Sequence, residues 1–271
     1  MTFVPQLAAL DVDGTLVDET NALSQKVRDA VLALAKAGVA IVVATGRAMP
    51  GTMEVVERIG LQDGTAVTSN GAIVIGYHPV EVLHSVTFDA SEAVRRVLES
   101  VPDALVAVEE VGVGYRVNAP FPEGEVSGKI TVEDVDSLVS EPVTRVVIRA
   151  PEHDAREFAA VVEGLGLTET NYYIGYTAWL DLAPQGVSKA SGLEMVCARL
   201  DIPRAHVLAI GDGYNDVEML EWVGRGVAMG QAPDQVRAVD ATIPDAATEE
   251  HLPTIEEVLD AFDALETSQV A

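Results

Sequence analysis

Leu7-Ala8-Ala9-Leu10-Asp11-Val12-Asp13-Gly14-Thr15 sets four apolar residues directly before two acids and a glycine. The apolar run, bounded by Pro5 and Asp11, reads as a buried strand. Asp11 and Asp13 are two apart, so in extended chain their side chains face the same side. Gly14 lets the backbone turn away at once. Acids just past the carboxyl end of a buried strand lie where open parallel α/β sheets bind ligands. A calcium loop of the EF-hand type would place an acid at position 22, which is Ala22, so that reading is rejected.

Outward from this stretch, strands and helices alternate. Ser24 is an expected N-cap for a helix with Val27, Val31 and Leu34 on one face and Gly38 as its stop. Residues 40–44 read as a second buried strand, followed by a helix ending near Gly60 and a third strand at 66–69. Asn70-Gly71 is a tight-turn signal. The character changes near residue 80. Segments 82–88, 105–109, 114–117 and 143–149 read as strands, 91–100 and 152–164 as helices, and 120–128 as a Pro- and Gly-rich loop. Two short strands are expected within 172–183. Alternation then resumes with helices at 188–200 and 216–222, strands at 206–210, 226–230 and 241–243, and a closing amphipathic helix at 254–265. The expected fold class is α/β: a Rossmann-like three-layer parallel-sheet core from residues 1–81 and 183–271, with an α+β domain inserted at 82–182.

The chain is 48% hydrophobic, carries a formal charge of −26, and has one cysteine, Cys197. A nucleic-acid partner is unlike this charge, because phosphate-backbone binding needs a basic surface. No apolar run is long enough for a membrane span, and no secretory leader is recognised. A single cysteine allows no internal disulfide, so a soluble, cytoplasmic protein is expected. An anionic small molecule stays compatible if a metal or lysine gives local positive charge.

Three strand ends supply chemistry to one edge. They carry Asp11 and Asp13; Thr45, Gly46 and Arg47; and Gly211, Asp212, Gly213, Asn215 and Asp216. Asp11, Asp13 and Asp212 offer oxygen ligands without histidine or thiolate, which favours Mg²⁺ over zinc. Lys189, at a helix start, can bring a point charge to a phosphoryl group. Thr45 and Gly46 can donate hydrogen bonds to it. A carboxylate can attack phosphorus and form an aspartyl-phosphate, and a second can move the proton. Arg47 is expected to pair with a carboxylate. Cys197, Trp179 and Trp222 are read as packing residues. An aromatic lining by Tyr172, Tyr173, Tyr176 and Trp179 is the lesser reading, and the five histidines lack metal-ligand spacing.

These residues resemble the motifs of the haloacid dehalogenase superfamily. Asp11-Val12-Asp13-Gly14-Thr15 is similar to its first motif, Thr45-Gly46-Arg47 to its second, Lys189 to its third and Gly211-Asp212-Gly213-Tyr214-Asn215-Asp216 to its fourth. Order and spacing resemble the Cof-type branch, as do Thr68-Ser69-Asn70-Gly71-Ala72 and the stretch from Gly226 to Ala232. The resemblance implies an α/β cap between the second and third motifs. It implies Asp11 as nucleophile and metal ligand, and Asp13 as acid/base and a ligand through its carbonyl. Asp212 would bind Mg²⁺ directly with Asp216 in support, and Thr45, Gly46, Lys189 and Asn215 would hold the phosphoryl group. The implied substrate is a small phosphate monoester such as a sugar phosphate. A sugar phosphomutase using the same aspartyl-phosphate is the alternative, and a non-catalytic binding module is a second one, disfavoured because all four motifs are present. Nothing in the sequence sets an oligomeric state.

Overall fold

The computed structural model of the 271-residue chain describes residues 3–167, 170–175 and 177–239. It opens with β1 (Leu7–Leu10), α1 (Gln25–Lys36), β2 (Ala40–Ala44), α2 (Met49–Ile59) and β3 (Gly64–Thr68), then β4 (Ile73–Tyr77) and β5 (Glu81–Ser85). The middle of the chain forms α3 (Ser91–Ser100), β6 (Leu105–Glu110), β7 (Gly114–Val117), β8 (Lys129–Val132), α4 (Val135–Leu138), β9 (Val146–Arg149), α5 (Ala155–Leu165), β10 (Thr170–Ile174) and β11 (Trp179–Pro184). The last part adds α6 (Lys189–Leu200), β12 (Val207–Gly211), α7 (Val217–Trp222), β13 (Arg225–Ala228) and α8 (Asp234–Arg237). The expected strand at 241–243 and helix at 254–265 lie outside the described residues.

The first sheet has seven strands in the order β13-β12-β1-β2-β3-β4-β5. The run from β13 to β3 is parallel, while β4 and β5 are antiparallel additions. β1 and β2 read as unbroken apolar runs because both their faces are covered. Ala8, Leu10, Ile41 and Val43 pack with Val27, Val31, Val55 and Val56 on one face. Leu7, Ala9, Val42 and Ala44 pack with Leu193, Val196 and Met219 on the other. Each fully buried aliphatic side chain of this kind contributes about 1.5–3 kcal/mol. The Ser24 hydroxyl accepts from the Val27 N–H and starts α1 as expected.

The second sheet has six strands in the order β10-β11-β9-β6-β7-β8. Val106, Val108, Val146, Ile148, Leu180 and Leu182 pack on one face with Val94 and Val97 of α3 and Phe158 and Val162 of α5. Strand alternation sends Ala107, Tyr115, Val147 and Trp179 to the opposite face. That face looks toward the carboxyl ends of the parallel strands across a shared cleft.

Two borders differ from the sequence reading. The strand expected at 82–88 is β5, and it pairs with β4 of the first sheet, Val82 opposite Ile75. The short link between them returns the chain onto its neighbour before any crossover is possible. The expected borders at 82 and 182 therefore fall inside β5 and β11. β8 and α4 were not expected; β8 is a four-residue edge strand with Ile130 and Val132 exposed, so it lacks a buried apolar face to signal it.

Candidate active site

Asp11 leaves β1 at the edge of the first sheet, and its N–H donates to the Ile210 carbonyl at 3.0 Å. That bond locks the ends of β1 and β12 side by side, so Asp11 and Asp212 are neighbours although 201 positions separate 11 from 212. Lys189 opens α6 behind a reciprocal cap: Ser188 Oγ accepts from the Ser191 N–H, and Ser191 Oγ from the Ser188 N–H. Its side chain is fully buried. The Nζ atom donates to Asp11 Oδ1 at 2.5 Å and to Asp216 Oδ1 at 2.6 Å. Asp216 Oδ2 accepts the backbone N–H groups of Asp212 and Gly213 at 3.0 and 2.8 Å. Both oxygens of Asp216 are thus engaged in holding the lysine and the turn after β12. Thr15 donates its hydroxyl to Asp212 Oδ1 at 3.3 Å.

One carboxylate oxygen each from Asp11, Asp212 and Asp216 lies within 4.8 Å of the others. Three carboxylates around a single ammonium leave two negative charges in excess. Burial, and next the Asp216 carboxylate, push the Asp11 carboxyl well above the usual range, against the pull of Lys189. The same two causes push Asp212 up to about 6. Burial would lower the Lys189 ammonium, but Asp11 and then Asp216 more than reverse this and hold it above the ordinary lysine value.

Two glycines make the close approach possible. Gly14 sits at φ +85°, and a Cβ there would lie 2.2 Å from Asp212 Oδ2. Gly71, at φ +99°, would place a Cβ 1.9 Å from the Ser188 carbonyl oxygen, at the start of the lysine helix.

The second-motif residues stand beside this cluster. Thr45 is fully buried, and its hydroxyl oxygen accepts from the Arg47 N–H at 3.0 Å. Gly46 lines the cleft. Asn215 Nδ2 donates to Asn70 Oδ1 at 2.9 Å, and the Asn70 N–H donates to the Thr45 carbonyl at 3.1 Å. Asn70 takes φ +54°, a left-handed conformation that asparagine tolerates better than most residues. The Asp13 carboxylate stands apart from the other three, 60% exposed, and is clasped by Arg47 at 2.5 and 3.0 Å. Arg47 also donates to Asn21 Oδ1.

The cleft between the sheets encloses about 1430 Å³. Its far wall carries Tyr115, Arg145, Tyr173, Trp179 and Asp181. Arg145 grips Asp181 through Nε and Nη2, both at 2.6 Å, and donates Nη1 to the Tyr115 hydroxyl at 2.6 Å. Beside them, buried Glu109 accepts Ser69 Oγ at 2.6 Å and Thr144 Oγ1 at 3.3 Å through Oε2. Ser69 belongs to the turn that carries Asn70, so this contact ties β6 of the second sheet to the strand-end edge of the first.

The model of the haloacid dehalogenase-like hydrolase family matches residues 8–250. The chain belongs to the haloacid dehalogenase-like hydrolases. It is 30% identical to the phosphoglycolate phosphatase of Haloarcula marismortui, over 89% of this chain and 93% of that protein. It is 28% identical to the 5-amino-6-(5-phospho-D-ribitylamino)uracil phosphatase YitU of Bacillus subtilis, over 87% and 90%. Among solved structures, the haloalkanoate-superfamily phosphatase BT1666 of Bacteroides thetaiotaomicron matches with a TM-score of 0.74 and 26% identity, covering 97% of this chain and 96% of that one. The chain is a phosphatase, a phosphoric monoester hydrolase acting on phosphorylated small molecules.

In this hydrolase Asp11, Lys189, Asp212 and Asp216 share one cluster, while the Asp13 carboxylate pairs with Arg47 outside it. Asn70 was read as a turn residue and as part of a stretch resembling the Cof-type branch, without a role in the site; its place after a buried strand was the available sign that it faces the site. Tyr173 and Trp179, the latter read as a packing residue, line the cleft, whereas Tyr172 packs on the second core. Tyr176 lies outside the described residues. Arg145, Asp181, Glu109 and Tyr115 were missed. Asp181 carried a signal, a polar residue set between core Leu180 and Leu182 in a strand; Arg145, Glu109 and Tyr115 have no such setting.

Proposed function

We propose that this phosphatase hydrolyses a small phosphate monoester, a sugar phosphate or a related metabolite, through a phosphoryl group carried on Asp11. The observation that supports this best is the cluster itself: a nucleophile-competent carboxylate held at 2.5 Å by a buried lysine, with two more carboxylates alongside. The all-oxygen donor set and its excess of two negative charges fit a hard divalent cation, so Mg²⁺ is the proposed metal. Asp11 and Asp212 would hold it, with the Asp13 carbonyl, and Asp216 would support Asp212. When bound, the ion supplies the positive charge that makes attack of an anion on an anion feasible.

Lys189 uses two of its three donors on Asp11 and Asp216, which leaves one for a phosphoryl oxygen. Gly46, Thr45 and Asn215 would complete its cradle. An Asp11 oxygen attacks phosphorus as the ester P–O bond breaks, and Asp13 gives a proton to the leaving oxygen. Asp13 then takes a proton from water as that water's oxygen attacks phosphorus and the Asp11 O–P bond breaks. The products are inorganic phosphate and the free Asp11 carboxylate. Arg47 orients Asp13 for both transfers. The second-sheet unit acts as a cap over the cleft and excludes bulk water during turnover. A cytoplasmic setting goes with this reading, supported by a single buried cysteine. No helix among the described residues is long and apolar enough to cross a membrane.

Asp11→Asn tests the proposal. The variant is expected to keep its circular-dichroism spectrum and lose all measurable turnover of p-nitrophenyl phosphate. A folded variant with ordinary activity would refute phosphoryl transfer to Asp11.

A further inference from the structure

The cleft is rich in charge but poor in available cations. Arg47 and Arg145 are the basic residues that line it among the described residues. Both are already committed: Arg47 to the Asp13 carboxylate and Asn21, Arg145 to both oxygens of Asp181 and to Tyr115. Lys189 lies beneath the floor and serves the phosphoryl end. Beyond the reacting cluster and these pairs, the walls add Asp18 and Glu19, and also Glu54 and Glu125, which pair with Arg58 and Arg149. A substrate's second anionic group would therefore meet, among the described residues, no unpaired lining cation and the carboxylates of Asp18 and Glu19. At a separation of about 4 Å such a repulsion amounts to several-fold more than thermal energy in a partly desolvated site.

A polar but uncharged group fares differently. Tyr173 lines the cleft, and its hydroxyl is buried with no hydrogen-bond partner among the described residues. Tyr173 stands opposite Asp181 across the β10–β11 pair, which places it on the far wall. Burial pushes this phenol up and keeps it protonated. A buried hydroxyl left unpaired is costly unless a ligand completes it. The Asp181 carboxylate and Tyr115 hydroxyl retain lone pairs that can accept from alcohols, and Trp179 offers an apolar ring face. The cleft has room for several carbons beyond the phosphate.

We propose that this enzyme selects phosphate monoesters whose leaving group is an uncharged polyol or sugar, and rejects those carrying a second anionic group. Tyr173 and the Asp181–Arg145 pair are its specificity-determining residues. The inference rests on the phosphatase reading of the Asp11 cluster and narrows it. It separates the two relatives by chemistry: phosphoglycolate carries a carboxylate, whereas the phosphorylated ribityl chain carries hydroxyls.

The test is a matched series with the full chain and Mg²⁺: ribitol 5-phosphate, glycerol 3-phosphate, 3-phosphoglycerate and phosphoglycolate, with p-nitrophenyl phosphate as reference. Glycerol 3-phosphate and 3-phosphoglycerate differ in a CH₂OH against a carboxylate on the same skeleton. The neutral-ended esters should exceed the carboxylates in kcat/KM by roughly tenfold or more. Carboxylates turned over as well as the polyol esters would overturn the proposal. Failure of every ester, p-nitrophenyl phosphate included, would instead sink the phosphatase reading, and the proposal would fall with it. Two variants test the residues, each read as a ratio within one preparation so that partial folding cancels. Asp181→Asn frees the Arg145 fork and should shift the ribitol 5-phosphate to 3-phosphoglycerate ratio toward the carboxylate by about tenfold. Tyr173→Phe should lower the ratio of ribitol 5-phosphate to p-nitrophenyl phosphate roughly fivefold. Unchanged ratios in both would remove these residues from substrate selection.

Discussion

Lys189 is a cation with no access to water, and its stability rests on two carboxylates at 2.5 and 2.6 Å. A buried ion pair is weak support for a fold, but removing one partner leaves the others uncompensated, at a cost of about 3–5 kcal/mol. Lys189→Met is the informative change because it keeps the aliphatic volume. In chelator the variant should lose about that much stability in urea unfolding. Added Mg²⁺ should restore part of the loss, because a divalent ion replaces the missing positive charge beside Asp11 and Asp212. Equal losses with and without the metal would show that the ion does not share this electrostatic pocket. Turnover should be abolished in either condition, since the proposed mechanism uses the lysine at the phosphoryl group and not only in the fold.

Strand β6 and the turn after β3 meet through Glu109 and Ser69, and this contact joins the two sheets at the turn that carries Asn70. Glu109 is buried; burial raises its carboxyl, while Arg145 draws it down. Its Oε1 has no partner among the described residues, so all of its bonding goes through Oε2 to Ser69 and Thr144. Truncation to alanine would orphan two buried hydroxyls, a loss of about 1–3 kcal/mol in unfolding free energy. Because Ser69 precedes Asn70 and Asn70 holds Asn215, Glu109→Ala should also raise KM for a phosphate ester several-fold more than it lowers kcat. Glu109→Gln, which can still accept from Ser69, should recover most of both. If kcat/KM were unchanged in a stably folded Glu109→Ala protein, the contact would be packing alone.

Across the whole molecule, the −26 formal charge and the acidic cleft act against compactness, and the site concentrates that conflict. Burial, and next the Asp216 carboxylate, push Asp212 up to about 6 in the folded protein, above the ordinary aspartate value of about 4. A carboxyl with a raised folded pKa binds more protons in the folded chain than in the unfolded one. Raising pH from about 4 to 6 therefore lowers the stability of the metal-free protein, and Asp11, also raised, adds in the same direction. Metal binding needs the deprotonated groups, so its stabilisation runs the opposite way. The rise in Tm caused by Mg²⁺ should be larger at pH 7.5 than at pH 5, as scanning calorimetry can measure. A rise that is the same at both pH values would mean that these carboxyls do not hold the ion.

The parallel core and the reacting edge were legible in the chain because each depends on local order. An apolar run long enough to be buried ends in an acid or a small polar residue at Leu10–Asp11, Ala44–Thr45 and Gly211–Asp212, and any parallel sheet built from such runs gathers those ends on one side. Ser24 and Ser188 announced their helices by the same local logic, through caps made within three residues. Tertiary structure decided the rest, because it depends on which distant segments become neighbours. Periodicity shows that a residue in β5 faces in or out, but not which sheet receives it; the short return from β4 settled that. Asp11 and Asp13 share a side of an extended chain, yet the turn at Gly14 sends one to Lys189 and the other to Arg47. Arg145 and Asp181 lie 36 positions apart and pair because β9 and β11 are adjacent. Local order therefore determined which acids gather at the reacting edge, and the pairing of remote strands decided which charges line the rest of the cleft.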